Sequence, residues 1–364
     1  MDAPHPRGRP YGRLGAVDAE KAKQFGAKML SYFTGSMMSK MVEIGYDTGL
    51  FEASRAGPAT SEELASRAGL KERYVREWLG AMTTSGIYSY DARSRRYALP
   101  EEHAALLTGR TAQNVAPHAK MIEHFGSHLS KLKACFREGG GIPYSAYRPV
   151  FTQCMDDVWR RIYDQMLVPG FIGAVPGLTE RLERGIGVLD IGCGTGHEIN
   201  VLARRFPQSR FAGYDIGEDA IDAARAEARQ MELANARFEM HDVASLAATP
   251  KFDLITAFDA IHDQKDPDAV LRGARQALAA GGMFLMVDFK FSSRVEDNIG
   301  NPFAPLYYGT SLMHCMPVSL AVGGKGLGTV WGEQTARDML RAAGFSSVEV
   351  LDTPRSQNYM FVCR

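Results

Sequence analysis

The sequence predicts an α/β protein in which a doubly wound sheet follows a helical amino-terminal region. From residue 186 onward, segments with strand character alternate with helical segments, which is typical of a parallel sheet covered by helices. Before that point, residues 25–110 have helical periodicity and end in a short hairpin. The 364 residues are enough for about two domains of roughly 150 residues each.

These patterns divide the chain into four parts. Residues 1–20 are expected to be a disordered leader, and residues 21–110 a helical domain with a hairpin. Residues 111–182 are expected to form a helical linker that caps a substrate pocket. Residues 183–364 contain the sheet, with a Gly- and Met-rich insertion at 290–332 of the length that commonly closes over a substrate.

The hairpin of the first domain follows two short helices. Ser61 is expected to cap one helix, which Gly69 ends. Residues 71–85 form a second helix with one apolar stripe, and residues 87–90 and 96–99 pair around a polar turn. This order of elements predicts a winged helix.

The capping region is predicted to be helical, with breaks at the glycines 139–141 and around Pro169. It is rich in aromatic residues that are suited to roof a substrate pocket, although a buried aromatic is more often simply part of a core. We therefore assign the roof to the region rather than to particular members of this set, which are Tyr144, Tyr147, Phe151, Trp159, Tyr163 and Phe171.

The sheet is predicted to have seven strands. They span residues 187–191, 210–214, 237–240, 254–258, 283–289, 348–351 and 359–363. The fourth helix of this domain is expected to be capped by Asp266, to carry Pro267 in its first turn and to end at Gly281 and Gly282.

A glycine turn follows the first of these strands, in the sequence Val-Leu-Asp-Ile-Gly-Cys-Gly-Thr-Gly at 188–196. Alternating glycines let a ligand approach the main chain, and the next helix offers free N–H groups, so the turn predicts an adenosine-bearing cofactor. Asp215 follows the second strand, where a carboxylate can accept both ribose hydroxyls. Phe258 and Asp259 end the fourth strand, whose carboxyl end faces the same cleft.

Two further positions distinguish this turn from a dinucleotide fingerprint. Asp190 lies two residues before the first glycine, and His197 stands where such a fingerprint has Gly or Ala. Residues 186–289 and 331–345 resemble a class I methyltransferase domain that uses S-adenosylmethionine. The whole chain is similar to small-molecule O-methyltransferases and to actinobacterial winged-helix methyltransferases. The resemblance implies a seven-stranded Rossmann-like sheet with an antiparallel last strand, and a homodimer formed through the first domain.

The resemblance also implies where S-adenosylmethionine binds, and where its product S-adenosylhomocysteine remains after transfer. It expects Asp242 beside the adenine amino group, with Val243 or Met240 against the ring and His241 close by. The residues expected to contact the cofactor are Asp190, Gly192, Cys193, Gly194, Thr195, Gly196, Asp215, Ile216, His241, Asp242, Val243, Phe258 and Asp259.

The segment 260–263, Ala-Ile-His-Asp, follows the fourth strand and is similar to the one that carries the catalytic base in plant-type O-methyltransferases. The resemblance therefore implies that His262 is a general base. Histidine suits this role because its unperturbed pKa near 6.5 leaves much of it neutral at cell pH. Asp288 and Glu333 fall where that family brackets its base with acids. The alternatives are that His262 only lines the cleft and that Glu333 only stabilises a helix terminus.

The composition favours small-molecule partners. The 42 basic and 42 acidic residues cancel, so no strong net field favours nucleic acid or an anionic membrane. The five cysteines are dispersed without a CxxC pair, and no metal site is expected, which suggests reduced thiols in the cytoplasm. No apolar run has the roughly 18 residues of a transmembrane helix.

The predicted function is methyl transfer to a small, fairly apolar acceptor, at a hydroxyl oxygen, with His262 as base. One alternative is an N- or C-methyltransferase that acts by proximity without a base. Another is a winged-helix DNA-binding regulator, which the charge balance of residues 61–100 (seven Arg and Lys, five Asp and Glu) disfavours. A third is an enzyme of this fold that uses the cofactor without transferring a methyl group.

Overall fold

The computed structural model describes residues 17–248 and 251–364. Residues 1–16 of the predicted leader lie outside the described residues. The expected disorder does not extend to residue 20, because a helix begins at Ala19. The Asp18 carboxylate caps this helix and accepts the N–H groups of Glu20 and Lys21 at 3.1 Å. The chain divides into two units, Met1–Pro100 and Glu101–Arg364.

The first unit has the predicted helices followed by a hairpin. Its described elements are α1 (Ala19–Asp47), α2 (Leu50–Ser54), α3 (Ser61–Ala68), α4 (Glu72–Thr84), β1 (Ser89–Asp91) and β2 (Arg96–Ala98). The buried residues of α4 are the predicted stripe of Val75, Trp78, Leu79 and Met82. The strands β1 and β2 are antiparallel. This is the arrangement expected of a winged helix.

The cap of α3 differs from the prediction by one residue. Thr60 accepts the N–H of Glu63 at 3.3 Å, while the Glu63 carboxylate accepts the N–H of Thr60 at 3.0 Å, which completes a capping box. Ser61 is instead the first helical residue, and its hydroxyl donates to Glu72 at 2.6 Å. Gly69 ends the helix in a left-handed conformation with φ +70°, as predicted.

The second unit begins with helices. They are α5 (Glu101–Leu107), α6 (Pro117–Gly126), α7 (Leu129–Glu138), α8 (Val150–Met166) and α9 (Leu178–Arg184). The predicted break at Gly139 is confirmed, but the one at Pro169 is wrong, since α8 continues into a π-helical segment, Leu167–Ile172. A wider turn tolerates a residue that has no N–H to donate.

Seven strands form the sheet that the sequence predicts. They are β3 (Gly187–Ile191), β4 (Arg210–Asp215), β5 (Ala236–Met240), β6 (Phe252–Phe258), β7 (Leu278–Phe289), β8 (Val348–Asp352) and β9 (Asn358–Cys363). Their spatial order is β5-β4-β3-β6-β7-β9-β8, and β9 is antiparallel to both of its neighbours. The predicted Rossmann-like sheet with an antiparallel last strand is therefore confirmed.

Helices α10 (His197–Arg205), α11 (Glu218–Gln230), α12 (Pro267–Ala277) and α16 (Gly332–Ala342) complete this layered structure. Successive residues of a central strand face opposite sides of the sheet. Val188 belongs to the core that α10 and α11 cover, whereas Leu189 belongs to the core that α12 and α16 cover. The sheet is thus buried on both faces, and ligands can reach it only at the ends of its strands.

The end of α12 differs from the prediction. Asp266 caps the helix and Pro267 occupies its first turn, as expected, but the helix ends at Ala277. Gly281 and Gly282 lie inside β7, where the register against β6 shifts. The glycines therefore mark an irregularity of the strand rather than a helix terminus, since glycine is common where a strand bulges.

The predicted insertion is helical in the structure. It contains α13 (Val295–Asn298), α14 (Ala304–Thr310), a π-helical turn (Ser311–Cys315) and α15 (Met316–Ala321). Across residues 17–248 and 251–364, no helix combines the length and the apolar character that crossing a bilayer requires.

Candidate active site

A cavity of about 480 Å³ lies in the second unit, at the carboxyl ends of β3, β4 and β6. Small-molecule sites commonly have volumes of roughly 300–1,000 Å³ and lie at this edge of an open parallel sheet. The predicted site residues on its wall are Gly192, Gly194, Asp215, Ile216, Asp242, Phe258, Asp259 and His262.

The glycine turn fits tightly against its neighbours at two positions. Gly192 and Gly196 have φ values of +73° and +69°. A Cβ atom on Gly192 would lie 2.5 Å from Cβ of Ala260, and one on Gly196 would lie 2.4 Å from the ring of Phe238. Gly192 and Gly194 both line the cavity, but only Gly194 has open space where a Cβ atom would lie. The turn therefore packs on its outer glycines and presents its middle one to a ligand.

Asp215 connects this turn to the end of β4. Its carboxylate accepts the N–H of Gly194 at 2.9 Å and that of Gly217 at 2.7 Å. Burial raises the pKa of this carboxyl, although the backbone N–H groups act in the opposite direction. A carboxylate has about four acceptor positions, so these N–H groups leave acceptor capacity for a ligand in the cavity.

Asp242 is exposed at the other side of the cavity, where Oδ1 accepts the N–H of Ala244 at 3.0 Å. The neighbouring His241 packs its ring on Tyr214, with 4.8 Å between the ring centroids. Val243 is buried. Of these predicted adenine neighbours, Asp242 is the one on the cavity wall.

Asp190 is buried rather than on the cavity wall. It accepts the hydroxyl of Thr256 at 2.8 Å, and burial raises its pKa to about 7. Burial and the charge of Asp190 also raise the pKa of Glu198 well above its ordinary value. The structure therefore gives Asp190 partners inside the protein beneath the predicted cofactor site.

Cys193 and Thr195 likewise have neighbours within the protein. Burial raises the pKa of the Cys193 thiol well above its ordinary value, and the sulfur lies against Gly213. The Thr195 hydroxyl donates to Asp156 at 2.5 Å. Both side chains hold the turn in place between the sheet and α8.

His262 stands between Asp288 and the cavity. Its Nδ1 lies 3.1 Å from both carboxylate oxygens of Asp288, and both side chains are almost fully buried. Burial disfavours the imidazolium, but the negative charge of Asp288, together with the neighbouring Cys315, outweighs this effect and raises the pKa of His262 well above its ordinary value. The pKa of His262 is therefore above the unperturbed value near 6.5 of a histidine.

Glu333 has a different partner from the one predicted. It lies in the first turn of α16, where its carboxylate accepts a hydrogen bond from Arg337 at 2.6 Å. Tyr359 is also close enough for Glu333 to raise the pKa of its phenol, in addition to the effect of burial. Because the carboxylate is engaged there, we leave Glu333 out of the site.

Asp259 has an unusual environment. Its backbone has φ +50°, and both carboxylate oxygens are buried without a hydrogen-bond partner in the part of the chain that the structure describes. Burial and the charge of Asp288 raise the pKa of Asp259 to about 8. A strained residue with an unsatisfied buried acid on a cavity wall points to a bound polar group.

Much of the remaining wall comes from the helical cap, the end of β7 and the segment that follows β7. Of the six aromatic residues noted in the cap, Tyr144, Phe151 and Trp159 line the cavity. The ring of Phe258 packs against Trp159, Tyr163 and Phe171. The wall residues from these parts of the chain also include Met121, Met155, Phe289, Leu306, Tyr307, His314 and Cys315. It is therefore mainly aromatic and apolar.

Sequence reasoning missed three charged residues of the wall, Asp263, Lys265 and Arg355. Arg355 lies in the turn between β8 and β9, with its guanidinium 5.2 Å above the Trp159 ring. Asp263 follows His262 in the chain, and burial raises its pKa to about 6. Adjacency to His262 could have identified Asp263, whereas no local pattern identifies Arg355. In residues 17–248 and 251–364, no cluster of three or more His, Cys, Asp or Glu is arranged to hold a metal ion.

Comparison with protein families identifies two domains. Residues 182–317 match a family described as a methyltransferase domain, and residues 36–109 match one described as an Rv2258c-like winged HTH domain. The predicted combination of a winged helix with a methyltransferase domain is therefore confirmed.

Individual relatives with similar sequences are also named as methyltransferases. A trans-aconitate 2-methyltransferase of Variovorax paradoxus is 33% identical over 35% of this chain and 46% of its own length. The O-methyltransferase aclM of Aspergillus oryzae is 25% identical over 69% of this chain and 62% of its own length. The chain thus spans less than half of the first relative and under two thirds of the second.

Solved structures share the fold. Human N-acetylserotonin methyltransferase, in complex with SAM, superposes with a TM-score of 0.67 at 17% identity, covering 96% of this chain and 99% of that one. An O-methyltransferase family protein from Burkholderia thailandensis superposes with a TM-score of 0.70 at 15% identity, covering 93% of this chain and 97% of that one. At these identities the likeness establishes the fold.

Proposed function

We propose that this chain, a methyltransferase domain behind a winged-helix domain, transfers a methyl group from S-adenosylmethionine to a hydroxyl group of a small, flat acceptor. The observation that carries the proposal is that His262, backed by Asp288, lines the same cavity as Gly194 and Asp215. A proton acceptor and an adenosine-binding turn therefore face one enclosed space.

The residues present fit S-adenosylmethionine. Asp215 has free acceptor positions for ribose hydroxyls beside the open face of Gly194. The unpaired carboxyl of Asp259 provides a hydrogen-bonding group for a polar part of the ligand, and Asp242 provides an acceptor for an amino group. When bound, the cofactor supplies a methyl group that its sulfonium already activates. The protein must therefore chiefly orient the acceptor and exclude water.

His262 has the task of removing the acceptor proton. With the cofactor and an acceptor bound, the neutral imidazole would take the hydroxyl proton during methyl transfer, which would leave S-adenosylhomocysteine, and Asp288 would stabilise the resulting imidazolium. The raised pKa makes His262 a stronger base than a free histidine, but a larger fraction of it is already protonated near neutral pH.

This pKa predicts an activity that rises with pH. Below its raised pKa His262 is protonated and cannot accept a proton, so kcat should fall as the pH falls through that value, which lies above the ordinary range of histidine. Replacement Asp288→Asn removes the charge that raises the pKa. It should move the acid limb of the kcat profile to lower pH and reduce the plateau rate. If the acid limb of the kcat profile lies at the same pH in Asp288→Asn as in the wild type, the limb does not report the protonation of His262.

The DNA-binding alternative is disfavoured by the pairing of basic residues in the first unit. Arg76 contacts Glu72 at 2.7 Å, and Arg96 contacts Glu63 at 2.7 Å. These side chains are engaged with carboxylates on their own domain, which reduces their attraction for phosphates. No observation favours methylation of nitrogen or carbon over oxygen.

We also propose a cytoplasmic homodimer formed through α1. This helix exposes large apolar side chains on the first unit, including Phe25, Leu30, Phe33 and Met37, each more than half exposed. A patch of this kind commonly marks a protein interface. Sedimentation should give a dimer for the wild type and a monomer for Phe25→Glu/Phe33→Glu, whereas Tyr74→Glu, at an exposed position of α4, should remain dimeric.

The function is tested with two matched acceptors and methyl-labelled S-adenosylmethionine. We expect 6-hydroxyquinoline to yield a labelled methyl ether with one S-adenosylhomocysteine per product, and 6-aminoquinoline to react far more slowly. Mass spectrometry distinguishes the products. Tight S-adenosylhomocysteine binding with transfer to neither acceptor, or preferential methylation of the amine, would contradict the proposal.

A further inference from the structure

His314 lies on the wall of the cavity, in the π-helical turn Ser311–Cys315 that joins α14 to α15. Its side chain is 1% exposed, so the protein surrounds it on nearly every side. Short π-helical turns recur at functional sites, because they reorient side chains that a regular helix would direct elsewhere.

The surroundings of His314 are aromatic. Its ring stacks on Phe151 with 3.7 Å between centroids, and it contacts the rings of Tyr147 and Phe125 at 4.7 Å and 5.5 Å. Neither ring nitrogen has a hydrogen-bond partner among the described residues. A buried polar atom without a partner destabilises a fold, and a phenylalanine or leucine would fill an aromatic cluster of this kind without that cost.

The imidazole is also uncharged. Burial lowers the pKa of His314 to about 3, with further lowering from His262, His124 and His128. A neutral imidazole has one N–H donor and one acceptor nitrogen. It therefore suits an uncharged hydrogen-bonding group rather than a carboxylate or an ammonium.

We propose that His314 binds an uncharged polar substituent of the methyl acceptor through a ring nitrogen. The inference rests on the proposed function, in which His262 receives the reacting hydroxyl in the same cavity. The stacked Phe151 and the neighbouring Tyr144 and Trp159 provide flat apolar surface for an aromatic ring. The substrate class is therefore a flat phenol that carries a second, uncharged hydrogen-bonding group away from the hydroxyl that is methylated.

The test compares ligands of one shape on the full chain saturated with S-adenosylhomocysteine. The probes are 2-naphthol, 6-hydroxyquinoline and 2,6-dihydroxynaphthalene, and their Kd values are measured by titration calorimetry. The wild type should bind the best of the two polar probes about three- to tenfold more tightly than 2-naphthol, which is the effect of one buried hydrogen bond. In His314→Phe this preference should disappear, while the Kd of 2-naphthol should stay within roughly twofold.

A stability measurement separates this role from a structural one. Removal of the two unpaired nitrogens should raise the Tm of His314→Phe by about 2–4 °C. His128 provides the matched control, because its Nε2 is also buried without a partner but the residue is not on the cavity wall. His128→Phe should gain stability and keep the ligand preference. His314→Leu serves as a second variant should the phenylalanine disturb packing.

Three outcomes would overturn the inference. They are equal binding of all three probes by the wild type, retention of the preference in both His314 variants, and failure of every probe to bind. These outcomes do not depend on catalysis, since only the product form of the cofactor is present. A protein that shows the predicted preference but never methylates 6-hydroxyquinoline would instead contradict the proposed function.

Discussion

Replacement His262→Ala should lower kcat for a phenol of ordinary acidity by about 10²- to 10⁴-fold, the usual contribution of a positioned general base. The Kd of S-adenosylhomocysteine should remain within roughly twofold, because His262 faces the acceptor and not the glycine turn in the proposed arrangement. Single-turnover transfer from labelled cofactor measures the first quantity, and titration calorimetry measures the second.

His128→Ala controls for the loss of a buried imidazole from the same unit. His128 contacts Tyr147 but does not line the cavity, so this variant should transfer methyl groups at close to the wild-type rate. A fully active His262→Ala would remove the base from the mechanism and would favour transfer by proximity alone.

The second large effect is expected at Asp215. Replacement Asp215→Ala should raise the Kd of S-adenosylhomocysteine by about 100-fold, since hydrogen bonds from two ribose hydroxyls to a carboxylate are lost. The N–H groups of Gly194 and Gly217 also lose their acceptor, which loosens the turn. Asp215→Asn keeps one acceptor oxygen and should give an intermediate Kd.

Asp222→Ala, on the exposed side of α11, provides the matched control and should bind with wild-type affinity. Thermal unfolding of each variant separates loss of the ligand contact from loss of the fold. A wild-type Kd in Asp215→Ala would mean that the ribose binds elsewhere.

Much of the sheet and about half of the candidate site residues could be predicted from local sequence patterns. Buried parallel strands are continuous apolar runs, and their carboxyl ends meet at one edge, so the residues after each strand could be expected to converge. Gly194, Asp215, Asp242, Asp259 and His262 indeed lie around one cavity.

The errors have tertiary causes. The choice between Thr60 and Ser61 as helix cap depends on one residue of backbone geometry, and the glycines at 281 and 282 belong to a bulge that only the pairing with β6 creates. Glu333 was expected beside His262, but Arg337 one turn later engages its carboxylate. Arg355 reaches the cavity from a turn distant in sequence, which no periodicity reports.

The claim that His262 removes the acceptor proton is tested most directly by varying the acidity of the acceptor. Methyl transfer by wild type and His262→Ala is compared for 2-naphthol and for 3-cyano-7-hydroxycoumarin, a flat phenol that is ionised at neutral pH. The base has no proton to remove from the second acceptor, so the defect of His262→Ala should shrink from about 10²- to 10⁴-fold to less than about tenfold. An equally large defect with both acceptors would show that His262 acts in some other way, and would contradict general-base catalysis by this residue.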